Sequence, residues 1–135
     1  MSKRRLLDTN LIVRYLVQDH EKHAKIAGKL FDACDRGEVV LVVLSAVLAE
    51  CVFVLESFYE QPRGGIAGTL SRLITSPGVE MSEAAVFVDA LERYAKTKCH
   101  FVDCLIAATA ATEDTPVATF DEDIRKFPDV RVKTD

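Results

Sequence analysis

The sequence lacks an excess of basic charge, paired cysteine ligands, a phosphate-binding glycine loop and an apolar run long enough to cross a bilayer. Lys and Arg number 17 against 21 Asp and Glu, giving a net charge of −4. That balance weighs against gripping duplex nucleic acid through a broad basic face. Cys34, Cys51, Cys99 and Cys104 form no CxxC pair, so buried free thiols are expected, not disulfides or a zinc centre. Gly64-Gly65 with Gly68 has neither a strand before it nor the Lys-Ser/Thr of a P-loop, and reads as a loop. Val39 to Leu55 is apolar apart from Ser45 and Glu50. A span needs about 20 apolar residues and tolerates a central acid poorly. Lys3-Arg4-Arg5 leads into no long apolar segment, so no signal peptide is expected and the protein reads as cytoplasmic.

What is present fits one domain over residues 1–135, with no internal repeat and no low-complexity linker. Residues 4–7 read as a strand, and 10–17 as a helix capped by Asp8 or Thr9. A second helix runs from Glu21 to Asp35, with an apolar stripe of Ala24, Ala27, Leu30, Phe31 and Cys34, and stops at Gly37. Val39 to Val43 reads as a buried strand, followed by a helix from Ser45, as N-cap, to about Tyr59. Residues 61–65 are a break and 66–75 a helix. A short strand at 79–81 precedes a helix opened by Ser82 and Glu83 and ending near Lys96. Its expected core face is Ala85, Val86, Val88 or Asp89, Ala90 and Leu91. Brief strands are expected at 116–119 and 130–132, with a helical turn at 121–126. Strands alternating with helices imply an α/β fold with a mainly parallel sheet.

Phe101 to Thr112 is apolar or small around the whole helical circumference, without Gly or Pro. Such a helix is expected to be buried on every side. Asp103 near its start then requires a cation, hydrogen-bond donors or a metal, since an unpaired carboxylate is disfavoured in an apolar interior.

Three further acids stand out. Asp8 and Asp121 follow strands, on the carboxyl edge where α/β sites gather, although both positions also suit an N-cap. Glu50 has Ala46, Val47, Phe53 and Val54 as its helical neighbours, so it is expected among apolar side chains, in a site or in an ion pair with Arg14. Asp103 has its own alternative, satisfaction by the helix N-terminus. Carboxylates packed together repel unless a cation sits among them. An all-oxygen cluster without His or Cys favours Mg²⁺ or Mn²⁺ over zinc. The matching chemistry is hydrolysis of a phosphodiester.

The run LLDTN with Arg14 beyond it, the acid within SAVLAECVFVLES, then FVDCLIAATA and ATFDEDIRKF, resemble in order and spacing the PIN-domain ribonucleases. The likeness is closest to the VapC-type toxins of toxin–antitoxin pairs. The resemblance implies a three-layer PIN fold with a short central sheet flanked by helices. It also implies a Mg²⁺/Mn²⁺-dependent endoribonuclease, a homodimer and a small cognate antitoxin that inhibits it. The family's acidic quartet falls on Asp8, Glu50, Asp103 and Asp121, with Asn10 supporting the first acid and Thr119 beside the last. Asp123 lies close enough to share or replace the role of Asp121.

Two other classes stay open on sequence alone. One is a catalytically idle PIN-like module that binds RNA or protein, its acids being caps and buried pairs. The other is a phosphatase, although Asp8-Thr9-Asn10 lacks the Asp-x-Asp of the aspartyl-phosphate enzymes. His20 and His23 read as surface histidines in preference to metal ligands, and His100 as incidental in preference to a contact with RNA. Arg63, Arg72, Lys96 and Lys98 read as scattered surface charge, or as guides for an RNA backbone.

Overall fold

The β-branched run Val39–Val42 forms the central strand, β2, of a three-stranded parallel sheet in a computed structural model that describes residues 3–135. Met1 and Ser2, the start of the expected domain, lie outside the described residues. Strand β1 (Lys3–Leu6) pairs with β2 in the register Lys3↔Val39 to Leu6↔Val42, and β3 (Val79–Glu80) pairs on the other side as Leu41↔Val79 and Val42↔Glu80. Val39 and Leu41 are buried and their alternate neighbours half-buried, as a strand covered on both faces requires. Basic Lys3, Arg4 and Arg5 make β1 a poor template for pairing with another chain.

Six helices surround the sheet: α1 (Thr9–Val17), α2 (Glu21–Asp35), α3 (Ser45–Ser57), α4 (Arg63–Thr75), α5 (Ala84–Lys96) and α6 (Phe101–Glu113). Helix α1 packs on α2 and α3, α5 packs on α4 and α6, and α3 meets both α4 and α6. The expected stripe of α2 is borne out, with Ala24, Ala27, Phe31 and Cys34 buried and Leu30 half-buried against the core. All four cysteines are buried free thiols. No helix among the described residues is long and apolar enough to cross a membrane.

Several boundaries differ from those expected. Leu44, not Ser45, is the N-cap of α3, and no side chain caps that helix. The core face of α5 centres on Phe87, Ala90, Leu91 and Tyr94, whereas Ala85 is exposed. The large aromatic side chains, not the alanine, fill the space between α5 and its neighbours, Phe87 and Tyr94 both meeting Phe101 of α6. The expected strands near the C-terminus reduce to one parallel bridge, Val117↔Val132, while the expected helical turn between them is present as a 3-10 turn at Glu122–Lys126.

The expected break at 61–65 is half helix, because α4 begins at Arg63 immediately after Pro62. The Arg63 guanidinium donates to the carbonyl of Tyr94 at 3.0 Å, to the carbonyl of Cys99 and to Glu56 Oε1 at 3.1 Å, and lies 3.8 Å over the Tyr94 ring. The Tyr94 hydroxyl donates to the same Glu56 carboxylate. Three acceptors and a ring face outweigh the helix propensity lost at Gly64 and Gly65, about 1 kcal/mol for each glycine.

Gly78 turns the chain into β3 at φ +85°, and its carbonyl accepts from Leu41 N–H at 2.9 Å. A Cβ there would stand 2.7 Å from Cys34 Sγ and 3.3 Å from the Cys34 carbonyl. Gly78→Ala is therefore expected to destabilise the fold by about 2–3 kcal/mol, through left-handed strain and the clash together. Urea denaturation checks this, and an unchanged midpoint would refute it.

Candidate metal centre

Leu7 is buried and its N–H donates to the carbonyl of Val42 at 2.9 Å, which carries the chain off the carboxyl edge of the sheet at Asp8. Asp8 is exposed and caps α1, its Oδ1 accepting from the backbone N–H of Asn10 at 2.9 Å. The support given to Asp8 by Asn10 thus comes from the main chain. Thr9, beside it, is buried.

Glu50 does not sit in an apolar interior. It is exposed on α3, whose neighbouring residue Phe53 is itself 68% exposed. Of its apolar helical neighbours Ala46 and Phe53 are exposed while Val47 and Val54 pack half-buried on the core, so Glu50 itself needs no buried partner. Arg14 instead donates to both oxygens of Asp19 at 3.0 Å, where the Tyr59 hydroxyl also donates, at 2.6 Å. The residue after Glu50, Cys51, is fully buried. Burial pushes its thiol up to about 12, and the charges of Glu50 and then Asp8 add to that shift. Both acids therefore act on one point beneath the surface.

Asp103 projects half-buried from the first turn of α6. That helix is not buried all round: Val102 is 57% and Ile106 39% exposed, leaving one apolar face open. Its buried side holds Phe101, Cys104, Ala107 and Ala108, which fix the first turn against the core.

The acids after Thr119 are placed by two local bonds. Asp121 N–H donates to Thr119 Oγ1, and Asp121 Oδ1 accepts from Asp123 N–H, each at 2.9 Å. Ile124 and Phe127 are buried and anchor the 3-10 turn against α6. The result is a close group: ligand atoms of Asp103, Asp121 and Asp123 all lie within 4.8 Å of one another. Asp8 and Glu50 are outside this trio, although α3, which carries Glu50, packs on α6, which carries Asp103. Asp121 and Asp123 are thus both brought to Asp103, instead of one replacing the other.

Burial raises the pKa of Asp103, and the negative charges of Asp121 and then Asp123 raise it further, while His100 opposes them. A half-buried carboxylate facing two others is an electrostatic deficit that a divalent cation would offset. Two residues passed over in the sequence also bear on this site. His100 lies close enough to Asp103 for its charge to matter. Lys126 Nζ lies 2.8 Å from Asp123 Oδ1, a partnership that the i, i+3 spacing could have revealed.

No curated protein and no solved structure matches the chain. A family model does, that of the PIN domain, over residues 5–130. PIN domains are usually nucleases and typically use divalent metals, and the parallel sheet, the flanking helices and the acidic trio agree with that assignment. The chain belongs to the PIN-domain family.

Proposed function

We propose that this protein is a Mg²⁺- or Mn²⁺-dependent endoribonuclease and the toxin of a type II, VapC-like toxin–antitoxin pair. The observation that carries the reading is the convergence of Asp103, Asp121 and Asp123, whose ligand atoms lie within 4.8 Å of one another. An all-carboxylate set without His or Cys suits a hard cation. When bound, such a cation supplies an activated water and charge stabilisation at the phosphoryl oxygens.

The rest falls to the chain's own side chains. Asp103, Asp121 and Asp123 hold the cation, with Asp8 as a direct or water-mediated fourth ligand. Glu50 orients the attacking water or accepts its proton. Asn10 and Thr119 restrain Asp8 and Asp121 through main-chain bonds. Capping does not compete with this role, because the hydrogen bonds that Asp8 and Asp121 accept engage Oδ1 alone. Each Oδ2 is left to serve as a ligand.

The remaining elements of the proposal follow from the family likeness. A small antitoxin inhibits the enzyme by placing a basic side chain among the acids, where charge complementarity favours it. The protein acts in the cytoplasm as a homodimer. The exposed apolar side chains Phe53 on α3 and Val102 and Ile106 on α6 supply a surface for a second copy to cover. The test is cleavage of an end-labelled single-stranded RNA with Mg²⁺ or Mn²⁺ added. Cutting is expected with either ion and none with excess chelator. Activity that persists in chelator would overturn the metal mechanism, and a protein that binds Mn²⁺ yet cuts no RNA would favour an idle binding module.

A further inference from the structure

Lys126 belongs to the same turn as Asp121 and Asp123, and its ammonium is ion-paired with Asp123 at 2.8 Å. Three carboxylates with ligand atoms within 4.8 Å of one another need positive charge, and this ammonium is the cation that the structure places directly on one of them. The pairing is weakly held. The Lys126 side chain is 67% exposed, so solvent screens the attraction. Its stem is flexible while its base is fixed by buried Ile124 and Phe127, so the ammonium can leave Asp123 without moving the turn. A lysine and a divalent cation cannot share one carboxylate without mutual repulsion. In a chain of net charge −4, an ammonium released beside the three acids is a partner for phosphate where the local charge is otherwise negative.

We propose that Lys126 is the resident cation of this site, pairing with Asp123 while the divalent position is empty and turning to an RNA phosphate once it is filled. The proposal rests on the metal-dependent reading above. It makes Lys126 a positioning residue for the phosphodiester and a competitor at Asp123.

The experiment titrates Mn²⁺ by calorimetry into the full-length protein and into Lys126→Met. It then measures binding of a phosphorothioate RNA oligonucleotide by fluorescence anisotropy at saturating Mn²⁺. Removing the ammonium that competes for Asp123 is expected to tighten Mn²⁺ binding by up to about fivefold, the most that an exposed ion pair contributes. RNA binding is expected to weaken in the same variant, and Lys126→Arg to restore it in part. Equal Mn²⁺ affinity in the two proteins overturns the competition, while unchanged RNA affinity overturns the phosphate role. If the unmodified protein takes up no Mn²⁺, the metal reading itself fails, which is a different result from either.

Discussion

Asp103→Asn is expected to abolish RNA cleavage while leaving the metal-free protein at least as stable as the parent. Asp103 is the member of the trio that comes from α6, so its loss leaves of that group only Asp121 and Asp123, neighbours on one turn. A metal contributes several kcal/mol of charge stabilisation in the transition state. Losing most of it lowers the rate on the order of a thousandfold. Stability should move the other way, because folding raises the pKa of Asp103 through burial and the charges of Asp121 and Asp123. A carboxyl group whose pKa is raised on folding destabilises the native state at pH values above its folded pKa. The penalty fades as pH falls to the ordinary carboxylate range, where the group is protonated in both states. The advantage of the asparagine variant should therefore be present at neutral pH and vanish in acid. Paired urea melts at neutral and acidic pH check the sign. A variant that cleaves normally, or one less stable at neutral pH, would refute the assignment.

Arg63→Ala is expected to be the most damaging single change outside the site. The guanidinium joins the start of α4 to the end of α5, to the carbonyl of Cys99 just before α6 and to Glu56 on α3. Truncation would leave two carbonyls and a carboxylate without their donor, next to a Tyr94 hydroxyl that donates to the same carboxylate. Hydrogen bonds to charged groups contribute about 1.5–3 kcal/mol each and are not additive, so a total loss of about 3–4 kcal/mol is expected. For a chain of this size that lowers Tm by about 10 °C or more. Arg63→Lys should recover only part of the loss, since an ammonium cannot span three acceptors or stack flat on Tyr94. Calorimetry on both variants decides the matter, and a shift below a few degrees for the alanine would show that the network is dispensable.

Much of the scaffold could be read because its signals were local. The stripe of α2 and the β-branched run of β2 each follow from periodicity or residue type alone. Glu50 and α6 misled for one shared reason. Apolar neighbours in sequence specify a face, and they do not say whether that face points inward. In α3 and α6 part of it points outward, as Phe53 and Val102 show. The beginning of α4 was hidden because its support comes from groups more than thirty residues away, at Tyr94 and Cys99. At the site, Asp121 and Asp123 were both visible as acids. Their joint approach to Asp103 depends on Ile124 and Phe127 docking the turn, a tertiary event with no local signature.

The position of Cys51 has a chemical consequence. Its thiol is fully buried and pushed up to about 12, chiefly by burial, with the charges of Glu50 and Asp8 adding to it. A thiol in that state forms almost no thiolate at neutral pH, so alkylating agents and mild oxidants have nothing to attack. Cys51 is inert toward electrophiles, and with the other three cysteines also buried, a cysteine introduced on the surface becomes the preferred site for a covalent probe. The native chain thus serves as its own silent background for labelling studies of this surface.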